Sequence, residues 1–192
     1  MRTFIAVDLD APIRSALVEI GRRADVGPAK VKWTAIESLH VTLHFLGELT
    51  DAAAAKLCEA CRTAAAKVRP FDFDVRRAVS VPPSGRKVRM AWAEVDDPDG
   101  RLAELHARLG KVVGALGHRV ERRPFRPHVT LARVRFAPDA GGFRQALAAW
   151  ADAAFGRQHA EQVTVFSSDL TPTGPVYTPL AHLPLAGGGE GE

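Results

Sequence analysis

The sequence predicts an α+β protein. Its architecture is expected to be bilobal and pseudo-two-fold, with two antiparallel sheets flanking a central cleft and helices packed outside. Three observations lead there. Strand-like segments come in neighbouring pairs joined by turn-forming residues. Helical segments fall between those pairs, which argues against a doubly wound parallel sheet. The tetrapeptide His-Val-Thr-Leu occurs at 40–43 and again at 128–131, once in each half of the chain.

The elements follow in order. "TFIAVDL" (3–9) reads as a buried strand. "DAPIRSALVEIGRRA" sets Ile13, Leu17, Ile20 and Ala24 at helical spacing, with Pro12 near the start. Residues 31–47 read as strand, turn and strand, closing at Gly47. Across 51–68, Leu57, Cys58, Cys61, Ala64, Ala65 and Val68 line a second apolar helix face. "FDFDVRRAVSV" and "VRMAWAEV" are strands around the turn-forming "PPSGRK". A third helix covers about 99–116, with Leu102, Leu105, Leu109, Val112, Val113 and Leu116 in register and Gly117 as its stop. Strands are expected over about 118–136, and a fourth helix over about 139–154, carrying Phe143, Leu147, Trp150 and Ala154. "AEQVTVFSSDL" and "YTPLAHLPL" are the last strands, joined by "TPTGPV". The expected division is one bilobal domain over 1–186 and a disordered glycine-acidic tail over 187–192.

The composition is that of a soluble globular chain: 192 residues, 46% hydrophobic, 25% charged. A net charge of +4 is mildly basic and favours an anionic partner only weakly. The first residues show no leader-cleavage pattern and no apolar run is long enough to span a bilayer, so the expectation is a cytoplasmic protein with no membrane partner. Cys58 and Cys61 lie on the apolar face of a predicted helix, without a second ligand pair. They read as core residues, not as a redox or metal motif. No metal and no cofactor are expected, and nothing in the sequence calls for more than a monomer.

The repeated word carries the chemistry. A strand alternates its side chains, so His40, Thr42 and His44 should share one face, with Val41, Leu43 and Phe45 on the other. Likewise His128 and Thr130 should oppose Val129 and Leu131. One His-x-Thr is more often an ordinary half-buried polar pair than a site. Two identical copies, one per lobe, would bring two imidazoles and two hydroxyls to one cleft. That set suits phosphoryl chemistry. A neutral imidazole can take a proton from a nucleophile and an imidazolium can give one to a leaving oxygen, because the free pKa of about 6.5 keeps both forms accessible. Threonine hydroxyls can donate to phosphate oxygens as charge gathers there. The basic strip Arg119, Arg122, Arg123, Arg126, Arg133 and Arg135 lies beside the second word and suits an RNA backbone. Phe45, Phe125 and Trp92 could stack on a base, but each reads first as core.

With those residues in view, the chain resembles the two-histidine (2H) phosphoesterase superfamily, and within it the RNA 2',3'-cyclic phosphodiesterases, long called 2'-5' RNA ligases. "RTFIAVDL" resembles the opening strand, "SLHVTLHFLGEL" the first motif, "FRPHVTLAR" the second and "SSDLTPTGPVYTPLAHLPL" the closing segment. The resemblance implies metal-independent hydrolysis of RNA 2',3'-cyclic phosphate ends to a 2'-phosphate. By motif position it implies His40 as proton donor to the leaving 3'-oxygen and His128 as proton acceptor from water. Thr42, Thr130 and Arg133 would bind the phosphate. Strict alternation from His128 would put Arg133 on the opposite face, so its place among them requires a bulge or a strand end. A 2'-5' ligase, which runs the same pair nearly in reverse, and a non-catalytic RNA-binding module are the alternatives.

Overall fold

The computed structural model describes residues 1–121, 123–172 and 174–187. The chain runs β1 (Arg2–Asp8), α1 (Ala11–Arg23), β2 (Lys30–Trp33), a 3₁₀ turn (Ile36–Ser38), β3 (His40–Glu48) and α2 (Asp51–Ala65). It continues through β4 (Phe71–Val81), β5 (Met90–Asp96), α3 (Arg101–Ala115), β6 (His128–Phe136) and α4 (Ala140–Leu147). A second 3₁₀ turn (Ala148–Trp150) precedes β7 (Ala154–Ala160), β8 (Gln162–Leu170) and β9 (Pro175–Pro184).

The strands form one antiparallel sheet in the order β7-β4-β5-β6-β3-β1-β8-β9, with β2 added to β6. Two four-stranded halves meet at its centre, where β3 and β6 pair only through Val41 and Val129. The two expected sheets are thus continuous through a single rung. Chain order repeats across that rung, since β1-α1-β3-α2 has its counterpart in β5-α3-β6-α4. The strands β3 and β6 even share one pattern of burial along all nine positions.

Local sequence explains most of the frame. Pro12 opens α1, and Thr50 caps α2 by accepting from the Ala53 amide at 3.2 Å. Asp139 caps α4 through the Gly142 amide at 2.9 Å. Gly117 ends α3 with φ 79°, in the left-handed region that a side chain would resist. Ile13, Leu17 and Ile20 of α1, Leu57 and Cys61 of α2, and Leu102, Leu105 and Leu109 of α3 join Ile5, Val41, Phe73 and Val129 in one continuous core. Cys58 and Cys61 are free thiols, the latter fully buried and its pKa pushed up to about 12 by desolvation. A second, small cluster of Phe4, Ala6 and Phe166, with Tyr177 against it, sits on the opposite face of β1.

Two sequence expectations need correction. The described residues among 118–127 form no strand: Pro124 and Pro127 cannot donate to a ladder, and β6 begins at His128. The fourth helix is shorter than 139–154. It stops at Leu147, and Ala154 instead opens β7, which pairs with β4 from Phe71–Ala160 to Arg76–Ala154. Arg122 of the basic strip and residues 188–192 of the expected tail lie outside the described residues. Among the described residues no helix is long and apolar enough to cross a membrane.

Candidate active site

The rung between Val41 and Val129 fixes the geometry of the two repeated words. Both valines are fully buried on the core face. His40, Thr42, His128 and Thr130, one position to either side, therefore share the opposite face. Antiparallel register about that rung sets His40 toward Thr130 and Thr42 toward His128. The charge of His128 is felt at His40.

Each imidazole is tied back in the same way. Nδ1 of His40 donates to the Ser38 carbonyl at 2.8 Å, and Nδ1 of His128 to the Arg126 carbonyl at 2.8 Å. A carbonyl only accepts, so Nδ1 carries the proton in both rings and Nε2 is left for chemistry. In neutral His40, Nε2 accepts from the Thr42 hydroxyl at 2.9 Å. Each ring also lies on an aromatic face: His40 on Phe4 at 4.9 Å between centroids, with Tyr177 edge-on at 5.4 Å, and His128 on Trp92 at 3.7 Å.

Both strands depart from strict alternation at the same place. The β1–β3 register skips at Leu43, where Ala6 faces Thr42 and Ile5 faces His44. The β5–β6 register skips at Leu131, where Trp92 faces Thr130 and Ala91 faces Ala132. Each skip is a bulge, one extra residue that reverses the faces beyond it. Beyond the second bulge, Arg133 pairs with Met90, which shares a face with Trp92 and Glu94. Arg133 thereby stands on the His128 face, and its charge reaches Tyr177 on β9. Beyond the first bulge the expected faces of His44 and Phe45 are exchanged. Phe45, the counterpart of Arg133, is 71% exposed on the His40 side and is not a core residue. His44 turns into the core. There Nε2 donates to the His106 carbonyl at 2.8 Å, its ring stacks on His106, and His106 stacks on Phe125. Phe125 is thus packed within this stack, and Trp92 beneath His128.

Burial governs the charge states. Desolvation takes His40 down to about 4, against the Ser38 carbonyl and Asp8, which pull it up. Desolvation also lowers His128, His44 and His106, the last to about 4. The sign for stability follows. The unfolded chain takes up these protons near 6.5, the folded chain only near 4 for His40 and His106. Between those values the unfolded state holds more protons, so stability is intact above about 6.5 and falls as pH drops toward 4. For deeply buried His40 the loss is roughly 1.4 kcal/mol per pH unit of displacement, and for the more exposed His106 solvent screening makes it smaller. We expect the urea midpoint to fall between pH 7 and 4.5. The fall should be shallower in His106→Phe, which keeps a ring in the stack without a titrating nitrogen.

Of the basic strip, Arg123 is engaged by Glu121 at 2.6 Å, and Arg119 and Arg126 lie in the irregular segment that replaces the expected strand. Lys32 of β2 pairs with Arg133 and adds a cation that the sequence did not single out. Other neighbours of the two words were equally hidden. Asp8 and Glu94 face His40 and His128 by cross-strand register, and Phe4 and Tyr177 pack on His40. Only strand pairing brings them there. Among the described residues no group of three or more His, Cys, Asp or Glu is placed to hold a metal ion.

The chain is similar to known proteins over most of its length. Residues 28–169 match the 2'-5' RNA ligase superfamily. An RNA 2',3'-cyclic phosphodiesterase of Thermotoga maritima is 30% identical over 191 residues, covering 98% of this chain and 97% of the relative. One of Thermus thermophilus is 33% identical over 195 residues, covering 97% and 91%. A solved structure from Thermus thermophilus superposes with a TM-score of 0.81 at 28% identity, covering 98% of this chain and all (100%) of that one. E. coli LigT complexed with 3'-AMP gives 0.73 at 26% identity, covering 96% and 97%. With matched repeats, matched bulges and a family match across most of its length, this chain belongs to the 2'-5' RNA ligase superfamily.

Proposed function

We propose that the chain hydrolyses RNA 2',3'-cyclic phosphate ends to a 2'-phosphate by paired-histidine acid–base catalysis, without metal. The observation that carries this reading is the twin presentation of Nε2. Two imidazoles on one face have Nδ1 fixed to a carbonyl two residues earlier and a threonine hydroxyl beside them. The names of the curated relatives support the substrate class.

In this reading His128 Nε2 takes a proton from water as its oxygen attacks phosphorus. His40, protonated, gives its Nε2 proton to the departing 3'-oxygen. The P–O3' bond breaks, P–O(water) forms, and the products are a 2'-phosphate and a 3'-hydroxyl. Protonation of His40 also releases the Thr42 hydroxyl, which no longer has a lone pair on Nε2 to donate to. Thr42 and Thr130 then donate to the non-bridging oxygens, and Arg133 balances their charge. The bound phosphodiester anion favours the imidazolium and so counteracts the burial that keeps both rings neutral in the free protein. The bell of kcat against pH should therefore lie alkaline of the bell of kcat/KM, with limbs belonging to the coupled pair.

The test is a short RNA with a 2',3'-cyclic phosphate, incubated with the protein in excess EDTA, with and without a 5'-hydroxyl RNA. The expected result is a 2'-phosphate at a rate the chelator leaves unchanged. A 3'-phosphate would overturn the assignment of the leaving oxygen. Activity that requires a divalent ion would overturn the metal-free mechanism. A joined 2'-5' product in excess over hydrolysis would make the protein a ligase.

A further inference from the structure

The two histidines are near-equivalent in backbone, tether and aromatic backing, yet the proposed reaction needs one to hold a proton and the other to lack it. The asymmetry lies in the carboxylates. Asp8 of β1 is the register partner of His40, and Glu94 of β5 is the register partner of His128. The pseudo-two-fold makes these equivalent positions in unlike surroundings. Asp8 is half-buried, and the hydroxyl of fully buried Thr164 donates to its Oδ2 at 2.6 Å. The Thr164 oxygen in turn lies 3.2 Å from Nδ1 of His182 on β9. Among the described residues Asp8 enters no ion pair, so its charge is oriented but not cancelled. Glu94 meets the Arg77 guanidinium at 2.8 Å. Arg77 has φ 48°, in the left-handed region, at the register skip between Arg76 and Ala78. A strained extra residue in β4 therefore accompanies the neutralisation of Glu94.

Other charged or titrating groups do not supply the difference. His40 is faced by His128 from β6 and by Tyr177 from β9, while His182 reaches it only through Thr164 and Asp8. Arg133 shares the His128 face but lies five residues along β6, where its charge bears on Tyr177. Burial presses harder on His40 than the carboxylate offsets in the free protein. Without that carboxylate His40 would hold a proton less well still, because Asp8 is one of the two groups that raise it against burial.

We propose that Asp8, oriented by Thr164, is a positioning residue that assigns the proton to His40, while Arg77 cancels the equivalent effect of Glu94 on His128 and leaves that ring as the base. This rests on the acid–base reading above and explains how a near-symmetric cleft acquires a direction.

The test follows the two imidazoles by NMR, titrated with saturating inorganic phosphate, in the wild-type chain, Asp8→Asn, Asp8→Glu, Glu94→Gln and Arg77→Ala. Asp8→Asn should lower the His40 midpoint by about one pH unit and leave His128 in place, and Asp8→Glu should restore it. Glu94→Gln should move neither ring, and Arg77→Ala, which frees Glu94, should raise the midpoint of His128. On cyclic-phosphate RNA at neutral pH, kcat/KM should fall about tenfold in Asp8→Asn, as a one-unit loss of proton affinity at the acid requires. An unmoved His40 in Asp8→Asn overturns the proposal. So does a fall at His128 in Glu94→Gln that equals the fall at His40. If Asp8→Asn does not fold, the wild-type chain decides. Its Asp8 carboxyl carbon should shift at the His40 midpoint, and a carboxyl that does not register that step refutes the coupling. Should the chain turn over no cyclic phosphate at all, the functional reading fails while the imidazole titrations still decide the electrostatic one.

Discussion

Replacing either His40 or His128 by alanine should reduce kcat on a cyclic-phosphate RNA by about 10²–10⁴-fold each. The double variant should be little worse than the weaker single one, because acid and base act in the same transition state and their losses do not add. Folding should survive both changes. The rings lie on the cleft face, and the strands are held through Val41 and Val129 beneath them. Removing His40 also removes a ring that burial keeps neutral, so the variant should lose less stability on acidification than the wild type. Thr42→Ala and Thr130→Ala should each cost less than either histidine, since each deletes one phosphate donor among several. Single-turnover rates at saturating RNA, with circular dichroism as the check on folding, decide the matter. Near-normal turnover in either histidine variant would refute the paired mechanism.

Phe73→Ala should cost about 3–5 kcal/mol of stability, a large part of the roughly 5–15 kcal/mol that a domain of this kind possesses. Phe73 is among the largest fully buried side chains. It projects from β4 into the core beside Phe71, at 6.4 Å between ring centroids. Strand β4 joins edge strand β7 to β5, and β5 carries Trp92 and Glu94 to the second histidine. A cavity there loosens the second half of the sheet from beneath. The urea midpoint should fall with the slope unchanged, which separates lost stability from a changed unfolded state. At low temperature, where the variant remains folded, kcat should stay within a few-fold of wild type. A fall comparable to that of the histidine variants would mean that the core sets cleft geometry more tightly than this packing implies.

Much of the protein was legible in the sequence because its patterns are local. Period-3.6 apolar spacing marked Ile13, Leu17, Ile20 on α1 and Leu102, Leu105, Leu109 on α3, and those residues are buried. Turn residues separated β4 from β5 and β8 from β9 within a few positions of their observed ends. The repeated His-Val-Thr-Leu was visible as words, and period-two alternation was enough to put His40 with Thr42 on one face of its strand and His128 with Thr130 on one face of theirs.

What escaped was whatever depends on a partner strand. A bulge is one residue of mismatch between two ladders, and neither sequence alone contains it. Only the pairing of β3 with β1, and of β6 with β5, reveals that Leu43 and Leu131 are the extra residues. That pairing sends His44 into the core, exposes Phe45 and brings Arg133 to the cleft. The start of β7 was read as helix because the alanines of 148–154 suit a helix locally, while its partner β4 lies some eighty residues away in the chain. The continuity of the sheet hangs on one rung, Val41 to Val129, which no periodicity could announce. The sequence by itself determined which side chains carry proton-transfer chemistry and the face of each strand on which they begin. The tertiary structure alone decided what stands opposite them: Asp8, bonded by the Thr164 hydroxyl, opposite His40, and Glu94, paired with Arg77, opposite His128. Charge acts through space, and the distances that set its strength exist only once the strands are paired.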